Sequence, residues 1–307
     1  IILKVTRFFY RILSKIIYLL IPIISKILIA LRLNSRIINQ LNKLRYESHK
    51  IDNQSNLISK LLVDNKLIAL DVGAQGGFFE SNIFAKKYNI SVIEDAAQAI
   101  GSLYYNKPSG SIGKIGCFST HPLKNLNACG DGGFITFNDR NIYERADNLR
   151  SHGLVNRNKS TEFGFVSRMD SVQAAILDFR LTKLNDVIMK RRENAKFYFN
   201  NLNDKYIKLP FEEKYEFNTY HTFVIQIDKR DALLQYLKEN NIITAIHYPI
   251  PIHLQPAASK LGYKKGDFPM VERQSDQILS LPVHQYLTKM DLKIIVKIIN
   301  SFFIINI

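Results

Sequence analysis

The stretch from Cys117 to Gly133, CFSTHPLKNLNACGDGG, restricts the fold more than any other part of the chain. It opens as a short apolar strand, crosses a polar loop containing Pro122, turns on Gly130 to Gly133 and re-enters an apolar run, Phe134 to Phe137. A loop between two such strands is held on a rigid edge, and Lys124 is the reactive group it carries. A free lysine amine has a pKa near 10.4, so at neutral pH roughly one molecule in a few thousand is a nucleophile. Burial next to an electrophilic ligand raises that fraction.

At 307 residues the chain can bury a sizeable core and form one large or two ordinary domains. The net charge of +15 invites a nucleic-acid reading, but much of the excess lies before residue 50, where the chain looks least like a compact domain. Nucleic acid is therefore not expected as a partner. The two cysteines, Cys117 and Cys129, flank the lysine loop, which fits reduced thiols in a cytoplasmic protein. No metal-ligand cluster is evident.

Residues 1–33 are apolar with a basic stripe: Lys4, Arg7, Arg11, Lys15 and Lys26 share one helical face. Such a helix fits a membrane surface, where cations meet anionic headgroups. The uncharged run Ile16 to Ser25 falls short of the ~20 apolar residues of a spanning helix, and Pro22 interrupts it. The alternative is a segment of another domain whose apolar face lacks its partner. Residues 34–60 are polar and read as a connector, so that 1–60 forms one basic helical segment with its linker. Next, Lys66 to Phe79, KLIALDVGAQGGFF, is an apolar strand ending at Asp71 and a loop with Gly73, Gly76 and Gly77. This resembles the first motif of S-adenosylmethionine-dependent methyltransferases, in which glycines admit the ligand and an acid such as Glu94 binds a ribose. A structural turn is the other reading, and no later methyltransferase motif follows.

From about Ile83 the character changes. Ile90 to Asp95 reads as a buried strand delivering Glu94 and Asp95 at its C-terminal end, where α/β folds place ligands, and a hairpin-like run passes through Asn106 to Gly110. Asp95, Gln98, Ser119, Lys124 and the Gly130–Gly133 turn then occur in order, followed by Arg150 to Gly153 (RSHG) and Gly164 to Ala175 (GFVSRMDSVQAA). This set, over residues of about 83 to 303, resembles the DegT/DnrJ/EryC1/StrS sugar aminotransferase family, here N-terminally truncated. The resemblance implies an α/β fold: an incomplete pyridoxal-phosphate-dependent transferase type I large domain with a smaller α+β C-terminal domain, preceded by N-terminal helices. The expected divisions are 61–89 for the methyltransferase-like strand and junction, 90–200 for the partial large domain and 201–307 for the small domain. Met169, Val172, Ala175, Ile176, Phe179 and Leu184 recur at helical spacing and read as core, and Lys190 to Lys196 as a solvated helix face. Strands are expected at Thr222 to Ile227 and Ile242 to Ile246, and helices at Asp231 to Asn240 and from about Phe268 and Thr288. Between them His247 to Pro256 (HYPIPIHLQP) forms a loop stiffened by three prolines.

By the same resemblance, Lys124 forms the imine with pyridoxal 5'-phosphate and shuttles the proton. Asp95 pairs with the pyridine nitrogen, Gln98 reaches the ring oxygen and Ser119 donates to the phosphate. His247, Tyr248 and His253 are candidates for contacts to the sugar or its diphosphate. The implied substrates are a nucleotide-linked keto sugar and glutamate as amine donor, acting on a homodimer in the cytoplasm, peripheral to the membrane if residues 1–33 attach. Two departures are expected to matter. Val166 stands where the family has an Asn that reaches the partner's cofactor phosphate. The upstream half of the family's large domain has no counterpart before Ile83, which leads to the expectation of weakened cofactor binding and impaired activity. The competing readings are a methyltransferase fragment and a membrane-associated, non-catalytic protein.

Overall fold

The computed structural model describes residues 67–71 and 91–305. The basic helix of residues 1–33, the connector, the glycine loop and the junction near residues 81–88 lie outside the described residues. The described residues fall into two compact units, the smaller containing Asn141–Val166 and the larger containing Ser167–Ile307 and the strands before it.

In the smaller unit, the helix Arg140–Arg150 buries Ile142, Ala146 and Leu149, an i, i+4, i+7 stripe. It ends in a left-handed turn at His152 (φ 64°) and Gly153 (φ 74°). A Cβ on Gly153 would lie 1.7 Å from the Glu162 carbonyl oxygen, so only glycine fits. A short hairpin, Leu154–Asn156 with Lys159–Ser160, follows, and the chain returns along the helix end where the Phe165 amide donates to the Leu149 carbonyl at 2.7 Å.

In the larger unit the strands Ser91–Asp95, Ile115–Ser119 and Gly133–Phe137 lie side by side in one sheet in that order. Ser91–Asp95 runs parallel to Ile115–Ser119, which pairs antiparallel with Gly133–Phe137. The register sets Asp95 opposite Cys117 and Ser119 opposite Gly133. Successive side chains of a strand point to opposite faces, so Glu94 and Asp95 part company. Glu94 is fully buried, and its carboxylate accepts hydrogen bonds from the amides of Gly110 (2.6 Å), Ile112 (2.7 Å) and Gly113 (2.5 Å). Of the two carboxylates expected to be available at the strand end, Glu94 is committed to the backbone and Asp95 alone is exposed. Glu94 cannot hold a ribose, because its oxygens are already bound to the backbone of the loop before Ile115. That loop follows the expected hairpin, Leu103–Tyr104 with Lys107–Pro108, whose two turn residues Tyr105 and Asn106 both have positive φ.

The remainder of the larger unit holds the main core. Phe223–Gln226 pairs antiparallel with Ile278–Leu281, and Phe223 and Ile225 on one strand meet Leu279 and Leu281 on the other. The helices Arg230–Glu239 and Lys289–Ile305 cover them with Leu233, Leu237, Ile299 and Phe302. The expected strand at Ile242 to Ile246 is absent: only Ala245 bridges to Ser280. Ile242 is buried and Ile243 is 89% exposed, an alternation that suits a strand, but among the described residues this segment joins the sheet at Ala245 alone, which exchanges backbone hydrogen bonds with Ser280. Ile278–Leu281 supplies the strand instead.

The core assignment on the helix Ser171–Leu181 is also corrected. None of its residues is buried, and Val172 and Phe179 are more than 60% exposed. Of the six residues read as core, Leu184 alone is buried. The inward stripe is Gln173, Leu177 and Arg180, again i, i+4, i+7. Gln173 Oε1 accepts from the Cys129 amide at 2.8 Å, Arg180 Nη1 donates to the Asn127 carbonyl at 2.6 Å, and Leu177 packs on the cluster of Leu126, Leu184 and Ile188. The polar side of this helix is its anchored side. Among the described residues no helix is long and apolar enough to cross a membrane.

Glu94→Ala leaves three amides without their carboxylate, so the unfolding free energy should fall by about 3 kcal/mol or more, measured by urea denaturation. A loss under about 0.5 kcal/mol would contradict the structural role of this carboxylate.

Candidate functional site

Lys124 stands in a loop whose backbone is closed on itself. The Thr120 amide donates to the Gly132 carbonyl, the Ala128 amide to the Thr120 carbonyl and the Lys124 amide to the His121 carbonyl, each at 2.8 Å. Asn127 Nδ2 donates to the Pro122 carbonyl at 2.5 Å, and buried Asn125 reaches the Thr219 carbonyl at 3.0 Å. The lysine is half-buried. Burial pushes its amine pKa down from the ordinary lysine value, against the opposing pull of Asp95. Removal of water favours the neutral form, and the carboxylate limits the effect.

Asp95, Cys117 and Ser119 share one face of the sheet, because paired residues and alternate residues point the same way. Asp95 is exposed, with Oδ1 accepting from the Ala97 amide at 3.1 Å. Ser119 Oγ accepts from the His121 amide at 3.3 Å, which leaves its own proton to donate. Gln98 is exposed beside the turn that follows Asp95. Desolvation, with Asp95 and Glu94 adding to it, pushes the Cys117 thiol up to about 11, so it is no nucleophile.

Lys124 also borders a cleft of about 810 Å³ lined by Arg191, His221, His247, Ile243 and Gln285. Asp95, Gln98 and Ser119 are not among its lining residues, so Lys124 is the member common to the strand-end face and the cleft. His247 lines the cleft, with Nδ1 2.8 Å from Ser280 Oγ. Tyr248 is 65% exposed, its ring edge-on to His247. His253 is placed differently: it is buried outside the cleft lining, with Nε2 2.9 Å from Glu272 Oε1 and its ring against Phe268. Glu272 also accepts from the Gly266 and Phe268 amides, and the His253 bond is the main cause of its lowered pKa. This network pins the proline-rich loop.

Two cleft residues escaped the sequence reading. Arg191 lies within the stretch Lys190 to Lys196 read as solvated, yet it is 7% exposed. The signal for it is periodic: Leu184, Ile188, Arg191, Ala195 and Tyr198 are all buried on the helix Leu184–Asn201, so Arg191 falls on the apolar stripe. His221, before the strand Phe223–Gln226, has its Nδ1 buried without a hydrogen-bond partner among the described residues. Burial first, then the neighbouring Lys124, Arg191, His247 and His121, push its pKa down to about 3. No local pattern marks His221, because its burial comes from elements distant in sequence.

Lys124 on its pinned loop, Asp95 at the end of the neighbouring parallel strand and the antiparallel pair Phe223–Gln226 with Ile278–Leu281 belong to one α/β unit. The sequence model of the DegT/DnrJ/EryC1/StrS aminotransferase family matches residues 77–300, and the chain belongs to that family. Over 221 residues it is 40% identical to the dTDP-3-amino-3,6-dideoxy-alpha-D-galactopyranose transaminase of Aneurinibacillus thermoaerophilus, covering 72% of this chain and 60% of that protein. It is 35% identical over 223 residues to the UDP-2-acetamido-2-deoxy-3-oxo-D-glucuronate aminotransferase of Pseudomonas aeruginosa, covering 73% and 61%. The crystal structure of S. venezuelae DesV in complex with a ketimine intermediate superposes with a TM-score of 0.74 at 29% identity, covering 77% of this chain and 65% of that one. The chain thus spans about 60% of the length of the curated relatives it matches.

His221 makes stability depend on acid. Its folded pKa of about 3 lies below the ordinary 6.5, so between these values the unfolded chain binds the proton and the folded chain does not. Stability is therefore present above about pH 6.5 and is lost as pH falls towards 3. Urea midpoints measured from pH 7 to pH 4 should fall less steeply for His221→Gln than for the parent chain, and equal slopes would remove the assignment.

Proposed function

We propose that the described site is the lysine side of a pyridoxal-phosphate-dependent transaminase acting on a nucleotide-linked keto sugar, with glutamate as the amine donor. One observation carries this reading: in a loop fixed by its own hydrogen bonds, the Lys124 amine is pushed towards its neutral form while it feels the Asp95 carboxylate. The donor set suits the cofactor. Asp95 has an oxygen beyond its bond to the Ala97 amide, Ser119 retains a proton to donate, and both project from the sheet face that ends at the lysine loop.

Bound there, pyridoxal phosphate supplies a carbonyl for an amine and an electron sink for the adjoining carbon. The protein residues do the rest. Lys124 would hold that carbonyl carbon through its neutral nitrogen, and its amine, once free, would carry the proton between the two carbons that flank the shared nitrogen. Asp95 would supply the negative charge that keeps a proton on the ring nitrogen. Ser119 would hold the phosphate, and Gln98 the ring oxygen. His247 and Tyr248 stand at the cleft side, where the sugar nucleotide would enter. The names of the two relatives, a dTDP-sugar and a UDP-sugar enzyme, support the nucleotide-sugar class. A homodimer is the expected assembly.

The visible spectrum tests the reading directly. Titrated with pyridoxal phosphate, the parent chain should develop the absorption band of lysine-bound cofactor, and Lys124→Ala should not. A band of equal strength in both, or in neither, would remove Lys124 from the chemistry.

A further inference from the structure

Arg191 is the one fully charged side chain that is both buried and open to the Lys124 cleft among the described lining residues. Three of its bonds hold it in place. Nε donates to Gln285 Oε1 at 3.2 Å, and Nη1 donates to the carbonyls of Tyr220 and His221, each at 3.1 Å. All three acceptors are neutral. Among the described residues no carboxylate pairs with the guanidinium, and Nη2 makes no hydrogen bond. A buried cation with neutral partners alone is expensive, and the burial pushes the Arg191 pKa down to about 10. The charge nevertheless persists at neutral pH. Asp291 is the single carboxylate in the cleft lining, and its Oδ2 already accepts from the amide and hydroxyl of Thr288.

We propose that the Nη2 edge of Arg191 is an oxyanion subsite of the Lys124 cleft, taking a carboxylate or phosphate group of the molecule whose reacting atom meets the lysine. The proposal deepens the transaminase reading and rests on it. A guanidinium fixed through Nε and Nη1 cannot rotate away, so its remaining N–H groups point in a set direction, the arrangement that recognises planar carboxylates and phosphates. The cleft volume of about 810 Å³ is that of a small-molecule site. Two sources supply such an anion, the amino-acid donor and the diphosphate of the sugar nucleotide, and the probes below separate them.

Isothermal titration of the protein with inorganic pyrophosphate and, separately, with glutarate reads the subsite without any turnover. The parent chain should bind at least one of them, and pyrophosphate alone or glutarate alone identifies the source. Arg191→Gln should weaken that binding by about tenfold or more. Gln285→Glu guards against misfolding: it keeps the arginine, sets a carboxylate against Nε in place of the amide oxygen, and should weaken binding comparably while leaving the thermal melt intact. Unchanged affinity in Gln285→Glu, or no binding of either probe by the parent, overturns the proposal. Lys124→Ala should still bind the probe. Absence of the cofactor band from the parent chain, with retained, Arg191-dependent anion binding, would therefore sink the lysine reading alone.

Discussion

The packing of one helix, Leu184–Asn201, sets the position of everything around the lysine. Its first turns place Leu184 and Ile188 against Leu126, directly beneath the Lys124 loop. Its next turn presents Arg191 to the carbonyls of Tyr220 and His221, and Asn194 to the carbonyl of His284 at 2.9 Å. Tyr198 then enters the core between Phe223 and the Pro282 carbonyl, to which its hydroxyl donates at 2.7 Å. A helix is stiff along its axis, so the loop at one end and both cleft walls at the other are referred to a single rigid body. Burial of the phenol raises its pKa well above the ordinary range, so that hydroxyl stays a donor at any working pH.

The sheet depends on a second, smaller constraint. Glu94 gathers three amides onto one buried carboxylate, and the loop it gathers lies against the strand Ile115–Ser119. A Cβ on Gly116 would fall 2.3 Å from the Gly110 Cα, and one on Gly113 would fall 2.7 Å from the Val92 carbonyl oxygen. Close approach of backbone to backbone is what lets an anion be satisfied inside the protein. Asp95 follows from the same arrangement: with Glu94 committed inward, strand alternation turns the next side chain out to the exposed face.

What could be read from the sequence follows the range of the interactions. The strand ending in Asp95, the hairpin after it and the lysine loop are built from neighbours, and their residues announce them. The helices Arg230–Glu239 and Lys289–Ile305 were legible for the same reason. The apolar positions of Ser171–Leu181 misled because hydrophobic spacing says which face a helix could bury, whereas here the hydrogen bond that Gln173 accepts from the lysine loop and the one that Arg180 donates to it fix the opposite face inward. His253 misled in the converse way. A histidine in a proline-rich loop looks available to a ligand until Glu272, 19 residues away, engages it. Arg191 was legible in principle, since its place on the buried stripe is a matter of counting, but a run of charges masked the period.

The cleft also shows how a single physical effect gives three bases three different states. Desolvation is the leading influence on His221, Lys124 and Arg191, and in each it disfavours the charged form. Their ordinary values differ, at 6.5, 10.5 and 12.5, and so therefore do the outcomes. The imidazole, pushed down to about 3, is neutral throughout the physiological range, while the guanidinium at about 10 remains a cation. The lysine is moved towards neutrality by burial and restrained by Asp95. A nucleophile needs its lone pair and an anion subsite needs its charge. Burying both in one cleft is compatible with both needs because arginine starts about two units above lysine, and a lysine at position 191 would not be expected to keep its charge under the same burial.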